Sequence, residues 1–104
     1  MQLISVEELK ARIDAGETLH LVDVREPGEH AEFNIGGLLL PLGNVRTLQI
    51  DEIDGWKDEE VICYCRSGNR SGQACRILET AGFTNVKNVT GGMLAWQDRI
   101  VKAQ

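Results

Sequence analysis

The segment that most constrains the fold is VICYCRSGNRSGQACRIL, at residues 61–78. It begins with a short apolar run at 61–64, continues through a polar stretch that contains Gly68, and then shows apolar residues at helical spacing. An apolar run of this kind, bounded by charges, is typical of a strand that is buried on both faces of a sheet. A buried strand that leads through a short loop into a helix predicts an α/β domain with mainly parallel strands.

The rest of the chain repeats this alternation. Ser5, followed three residues later by Glu8, predicts a capping box that opens a helix ending near Gly16. Gly82 predicts the end of a second helix, over 71–81. Further strands are predicted at 2–4, 19–24, 38–40 and 86–89, and further helices at 29–33, 44–53 and 93–100. We therefore expect a single domain over residues 1–104, an α/β fold with a central, mainly parallel sheet of about five strands flanked by helices on both faces.

The composition argues against several classes of protein. A net charge of −5 lacks the basic excess of a nucleic-acid binder, and no apolar run is long enough to span a membrane. Three cysteines fit a disulfide framework poorly, which favours a reducing cytoplasm. His20 and His30 are far apart and match no metal spacing. We expect no metal, no cofactor, no nucleic-acid partner and no membrane attachment.

Cys65 stands where the buried strand ends, and ligands of parallel sheets bind at this end of the strands. The following helix start, an inward-facing set of loop N–H groups, and the charges of Arg66 and Arg70 all favour a thiolate. We expect a pKa below the free value of about 8.5, which makes Cys65 the candidate nucleophile rather than a buried structural thiol. Cys63 lies inside the apolar run and Cys75 lies mid-helix, so core packing is favoured over a redox role for both.

The loop residues after Cys65 suit an anionic ligand. Gly68 lets the loop turn, and Asn69 tolerates left-handed backbone. Ser67 and Ser71 can donate hydroxyl hydrogen bonds, although Ser71 fits the role of a helix cap equally well. The candidate binding residues are Arg66, Ser67, Gly68, Asn69, Arg70 and Ser71.

Three segments resemble signatures of the rhodanese family, and they occur in the expected order. CRSGNRS at 65–71 is similar to the active-site loop, LVDVREP at 21–27 resembles the first signature, and GGMLAW at 91–96 resembles the late one. The resemblance implies an α/β domain in which Cys65 cycles between thiolate and persulfide, cradled by the backbone of residues 66–70. Asp23 and Arg25 match positions with a mainly structural role. We expect a charge network near the loop for them, with a solvated surface pair as the alternative.

The resemblance implies a sulfurtransferase that moves sulfane sulfur from a donor, thiosulfate or another persulfide, to a thiol or cyanide acceptor. The thiol acceptor can be a small molecule or a protein. Two alternatives stay open: a sulfur-relay module loaded by a protein partner, and a phosphatase or arsenate reductase of the same fold. The spacing from Cys65 to Arg70 is Cys-x4-Arg, one residue shorter than in the phosphatases, which favours a single sulfur atom over a phosphate group. Residues 34–38 read NIGGL where the family often has HIPGA, so no role is assigned to this turn.

Overall fold

The computed structural model describes residues 1–103, which form five β-strands and five α-helices. The strands are β1 (Gln2–Ile4), β2 (Leu21–Asp23), β3 (Leu38–Leu39), β4 (Glu60–Tyr64) and β5 (Asn85–Val89). The helices are α1 (Val6–Asp14), α2 (Pro27–Glu32), α3 (Leu42–Arg46), α4 (Asn69–Thr80) and α5 (Gly92–Trp96). A 3-10 segment covers Asp51–Trp56, and α5 continues as a π-helical turn over Gln97–Val101. None of the helices in residues 1–103 has the length and apolar character that a membrane crossing requires.

The five strands form one parallel sheet in the order β1-β5-β4-β2-β3. The central strand β4 pairs with β2 on one side and with β5 on the other, so that Cys63 lies between Val22 and Asn88. Because all the strands run the same way, their carboxyl ends meet at one edge of the sheet, where ligands of such folds bind. The predicted α/β fold with a five-stranded parallel sheet is confirmed.

Side chains of β4 alternate between two hydrophobic cores, one on each face of the sheet. Val61 and Cys63 pack in the core beneath α3 and α4, and Ile62 and Tyr64 pack in the core beneath α1 and α5. All four side chains are fully buried. This burial explains why the run is apolar throughout rather than alternating with polar residues.

The predicted start of α1 and the predicted end of α4 are both found in the structure. The Ser5 hydroxyl accepts a hydrogen bond from the Glu8 N–H at 3.0 Å, and the Glu8 carboxylate accepts one from the Ser5 N–H at 3.3 Å. These reciprocal bonds form the expected capping box of α1. Gly82 follows the last residues of α4 with φ of 102°, the left-handed position that glycine occupies at helix ends.

The helix predicted over residues 44–53 is wrong. Helix α3 ends at Arg46, and Leu48 adopts a φ of 57°. The N–H of Leu48 donates to the Val45 carbonyl at 3.0 Å, and the N–H of Gln49 donates to the Asn44 carbonyl at 2.8 Å. These two bonds are a Schellman motif, which stops a helix. Leucine occupies the position that glycine usually takes, so the sequence carries no sign of the break.

Other predicted boundaries also differ from the structure by a few residues. Helix α4 begins at Asn69 rather than at residue 71, with Gly68 as its N-cap at a φ of 102°. Ser71 therefore lies in the first turn and does not cap the helix, which removes one of its two predicted roles. The predicted strand at 19–24 is shorter, at Leu21–Asp23, although the flanking His20 carbonyl and Val24 N–H still form hydrogen bonds with β4.

Candidate active site

Cys65 follows the last residue of β4, and its side chain is 1% exposed. The loop after it folds back, so that the Gly68 N–H donates to the Cys65 Sγ at 3.1 Å. The Ser71 hydroxyl, one turn into α4, lies 3.3 Å from the same sulfur. Strand end, loop and helix start thus converge on one thiol, as the sequence predicts.

The pKa of Cys65 is lowered, and the loop is the cause. Burial acts to raise the pKa, but the hydrogen bond from the Ser71 hydroxyl and those from the backbone N–H groups of Ser71, Gly68 and Ser67 lower it by more. Hydrogen bonds to the charged form of a group stabilise that form. The sequence predicted this direction from the helix start, the loop N–H groups and the two arginine charges. In the structure the hydroxyl and N–H donors are the leading causes that lower the pKa.

Asn88 on β5 is a member of the site that sequence reasoning missed. Its side-chain N–H donates to the Gly68 carbonyl at 2.9 Å, and its carbonyl oxygen lies 2.5 Å from the Ser71 hydroxyl. Because a hydroxyl carries one proton, Ser71 can donate either to the Asn88 carbonyl oxygen or to the Cys65 sulfur, and only the second bond stabilises a thiolate. Strand β5 reads NVKNV, so no local pattern in the sequence distinguishes the buried Asn88 from its polar neighbours Asn85 and Lys87.

The two loop arginines have different surroundings. Arg70 is held by Glu29 through two parallel hydrogen bonds, from Nη1 to Oε1 at 2.7 Å and from Nη2 to Oε2 at 2.8 Å. This pairing lowers the pKa of Glu29 to about 2. Arg66 forms no ion pair with any residue in the described range 1–103, and it lines the cleft described below. The sequence did not predict the Glu29 contact, because the two residues lie 41 positions apart.

The late Gly-Gly segment fixes the other side of the loop. The N–H groups of Met93 and Leu94 donate to the carbonyls of Cys65 and Arg66, both at 2.9 Å. Gly92 has a φ of 55°, and a Cβ on it would lie 2.5 Å from the Cys65 carbonyl oxygen. Only glycine allows this close approach of two backbone segments.

Asp23 and Arg25 form a buried charge network. The Arg25 Nε and Nη2 donate to the two carboxylate oxygens of Asp23 at 2.9 and 2.8 Å, and the Asp23 side chain is fully buried. His30 Nδ1 lies 2.8 Å from the same carboxylate, a contact that the sequence did not reveal. Burial opposes the charge on Asp23, but the hydrogen bonds from Arg25 and His30 leave its pKa lowered. The pair is a local network and not a solvated surface contact.

A cleft of about 300 Å³ opens beside the loop. Four charged side chains line it: Arg25, Glu29, Glu32 and Arg66. Phe33, Met93 and Leu94 form its apolar wall. Arg66 follows Cys65 directly in sequence, so the cleft adjoins the thiol loop. No group of three possible metal ligands occurs in the part of the chain that the structure describes.

Cys63 and Cys75 lie outside this site. Both are fully buried in the core beneath α3 and α4, and both are free thiols. Hydrogen bonding with Cys75 and burial raise the pKa of Cys63 well above its usual value. Neither residue contacts the loop N–H groups that act on Cys65, which supports their predicted packing role.

Comparisons with known proteins identify the family of the chain. The sequence profile of the Rhodanese-like domain matches residues 5–99. A Bacillus subtilis protein named "Putative sulfurtransferase YtwF" is 43% identical over 98 residues, which cover 90% of this chain and 88% of that protein. A sulfurtransferase of Allochromatium vinosum is 42% identical over 94 residues, covering 89% of this chain and 85% of the other. The crystal structure of a rhodanese-like domain protein from Staphylococcus aureus superimposes with a TM-score of 0.83 at 31% identity, over 96% of this chain and 95% of that one. The chain therefore belongs to the rhodanese-like domain family.

Proposed function

We propose that this chain is a sulfurtransferase in which Cys65 carries a sulfur atom as a persulfide. The observation that carries the proposal is the set of donors on the Cys65 sulfur, led by the Gly68 N–H at 3.1 Å and the Ser71 hydroxyl at 3.3 Å. These donors favour the thiolate, which is the nucleophilic form of cysteine. The relatives named sulfurtransferases support the same class of reaction.

In the first step the Cys65 thiolate attacks the outer sulfur of a donor such as thiosulfate. A new S–S bond forms at Cys65, the S–S bond of the donor breaks, and its electron pair leaves on sulfite. One neutral sulfur atom moves, so the step needs no external oxidant or reductant and no cofactor. Attack on a small persulfide follows the same course and releases a thiolate instead.

In the second step an acceptor attacks the terminal sulfur of the Cys65 persulfide. The S–S bond between the Cys65 Sγ and the terminal sulfur breaks, and its electron pair remains on Cys65, which returns to the thiolate. Cyanide serves as the acceptor in an assay, and a thiol serves as the biological one. Since both steps begin from an anion that already exists, no histidine is needed as a general base.

We assign the binding of anionic sulfur to the loop. Its backbone N–H groups stabilise negative charge in both the thiolate and the persulfide state, as an oxyanion hole does for oxygen. Asp23 and Arg25 support the site by fixing the chain beside Tyr64, where the Arg25 guanidinium lies 5.7 Å from the ring centroid. The proposed binding residues are Arg66, Ser67, Gly68, Asn69, Arg70 and Ser71, with Arg70 taking part through its backbone because its guanidinium is bonded to Glu29.

Two features speak against the phosphatase or arsenate reductase alternative. The loop from Cys65 to Arg70 is one residue shorter than that of the phosphatases of this fold. Arg70, the nearest counterpart of a phosphate-binding arginine, already has both terminal nitrogens bonded to Glu29. A low rate with an aryl phosphate, compared with thiosulfate, is the expected result.

One experiment tests the function and separates it from a relay role. The purified protein is incubated with thiosulfate, and intact-mass and peptide mass spectrometry locate any added sulfur atom. We expect one added sulfur on Cys65, which cyanide then removes as thiocyanate. If thiosulfate never loads Cys65 but a protein persulfide does, the relay module replaces the small-anion enzyme. If neither donor loads Cys65, the sulfurtransferase proposal fails.

A further inference from the structure

Arg70 lies beside the sulfur-binding loop in sequence, but its guanidinium is bonded to Glu29. Arg70 lies in the first turn of α4, one residue before Ser71, whose hydroxyl contacts the Cys65 sulfur. Its two terminal nitrogens both bind the Glu29 carboxylate, and each side chain of this pair is about one-third exposed. A bidentate pair of this kind is strong and directional, so Arg70 is turned towards α2.

Glu29 is itself held in place. Its Oε1 also accepts a hydrogen bond from the Glu26 N–H at 3.1 Å, as part of the capping box of α2. The pKa of Glu29, lowered to about 2 mainly by Arg70, keeps the carboxylate charged at every working pH. Glu29 lines the cleft and Arg70 does not, so the carboxylate stands between the cleft and the Arg70 charge.

The charges that line the cleft balance, with two arginines and two glutamates. Arg25 forms an ion pair with Asp23, and Glu29 forms one with Arg70. Within residues 1–103, Arg66 is the lining cation that forms no ion pair. Within the same residues, Glu32 is the lining anion that forms no ion pair. A donor that enters this cleft therefore meets one unpaired positive charge, one unpaired negative charge and the apolar wall of Phe33, Met93 and Leu94. Arg66 can neutralise only one negative charge, and the Glu32 carboxylate repels a doubly charged anion such as thiosulfate more than a singly charged one.

We infer that Glu29 is a specificity-determining residue that acts through Arg70, and that the wild-type site favours a singly charged organic persulfide over the thiosulfate dianion. The inference rests on the proposed function and names the donor class for the same site. The favoured donor loses its terminal sulfur to Cys65: one S–S bond forms, one breaks, and the organic thiolate leaves with the electron pair.

Glu29→Gln tests the inference because it keeps the size of the side chain and removes its charge. The substitution releases Arg70 to a donor, so kcat/KM for thiosulfate should rise about tenfold, with most of the change in KM. With 2-hydroxyethyl persulfide, a singly charged probe, kcat/KM should change much less. Glu29→Ala should shift the ratio of the two donors in the same direction, which guards against a local folding fault in one variant.

Two matched variants identify the route of the effect. Glu32→Gln removes an equal charge from the same cleft but releases no arginine, so it should raise the thiosulfate kcat/KM by a clearly smaller factor. In Glu29→Gln/Arg70→Gln the gain of Glu29→Gln should disappear, because the released charge is gone.

The outcomes separate the inference from the proposed function. An unchanged donor ratio in both Glu29 variants would overturn the inference, as would an equal gain in Glu32→Gln or a gain that survives the loss of Arg70. Each of these outcomes is a comparison of kcat/KM values, measured with donors that already transfer sulfur to Cys65 of the wild-type protein. Failure of both donors to load it is instead the failure of the proposed function.

Discussion

Cys63 and Cys65 lie two residues apart and are buried to the same degree, yet their surroundings shift the two pKa values in opposite directions. Cys63 lies inside β4, where backbone groups pair with neighbouring strands and the side chain contacts Cys75 and apolar residues. Cys65 lies one residue beyond β4, where freed N–H groups turn towards its sulfur. Burial raises the pKa of both thiols. Hydrogen-bond donors, which only the strand end can supply, decide between an inert and a reactive cysteine.

The largest effect should come from removing the sulfur at the strand end. Cys65→Ser should reduce sulfur transfer by more than about a thousandfold, because a serine hydroxyl neither forms a stable anion at neutral pH nor carries sulfane sulfur. Cys63→Ala and Cys75→Ala should stay within about twofold of wild type per folded molecule. Thiocyanate production and persulfide mapping measure both. Near-normal turnover in Cys65→Ser would remove the distinction between the two thiols.

A second substitution should displace the loop without touching the sulfur. Gly92→Ala places a Cβ 2.5 Å from the Cys65 carbonyl oxygen and 2.6 Å from that of Arg66, at a φ that alanine rarely adopts. A shift of about 1 Å in a reacting group can reduce a rate about a hundredfold, and we expect a loss of that order. The control is Gly43→Ala, since nothing lies within 4 Å of the Cβ added in α3. Wild-type rates in Gly92→Ala would show that sulfur transfer tolerates a displacement of the loop backbone.

A third substitution should weaken the donors on the sulfur. In Ser71→Ala the Cys65 thiolate loses its hydroxyl partner, so its pKa should rise, and the rate at pH 7 should fall about tenfold. A hydrogen bond to the thiolate stabilises the charged form and lowers the pKa of the thiol. Removal of that bond therefore lowers the fraction of Cys65 present as thiolate at any pH below the new pKa. Alkylation rate against pH, in a Cys63→Ala/Cys75→Ala background, measures the shift. An unchanged midpoint would mean that Ser71 gives its proton to Asn88 in both states of the thiol.

How much the sequence reveals depends on the distance between interacting residues. The strand end at Cys65, the turn at Gly68 and the helix end at Gly82 depend on neighbours along the chain, and local patterns predicted them. Partners distant in sequence were not predicted, because no local pattern marks them. Glu29 reaches Arg70 across 41 positions, and Asn88 reaches Gly68 across 20.

The segment over residues 44–53 shows a second limit. The periodicity of its apolar residues is mixed and is interpreted as a helix, but the helix stops where Leu48 takes a left-handed conformation. Two hydrogen bonds of the Schellman motif offset the cost of that conformation. The sequence signal for such a stop is glycine, which is absent here. Patterns of side chains therefore predicted the layers of the fold better than they predicted where a backbone leaves a helix.

The smallest effect, and the one that sharpens the comparison most, comes from making the same substitution at both thiols. Cys63→Ser places a hydroxyl in a fully buried apolar position, where the residues on either side already use their backbone groups in the sheet. We expect it to lower the free energy of unfolding by about 1–2 kcal/mol while leaving sulfur transfer per folded molecule unchanged.

Cys65→Ser should show the reverse pattern. The loop N–H of Gly68 and the Ser71 hydroxyl lie where they can bond a serine oxygen, so the substitution should cost little stability although it abolishes transfer. Urea unfolding of the two variants beside wild type measures the stabilities, and thiocyanate production measures transfer. Because the two positions are equally buried, a burial-only account predicts equal losses of stability. A larger loss in Cys65→Ser than in Cys63→Ser would mean that the loop donors do not accept an oxygen, and that their hold on the sulfur depends on its size as well as on its charge.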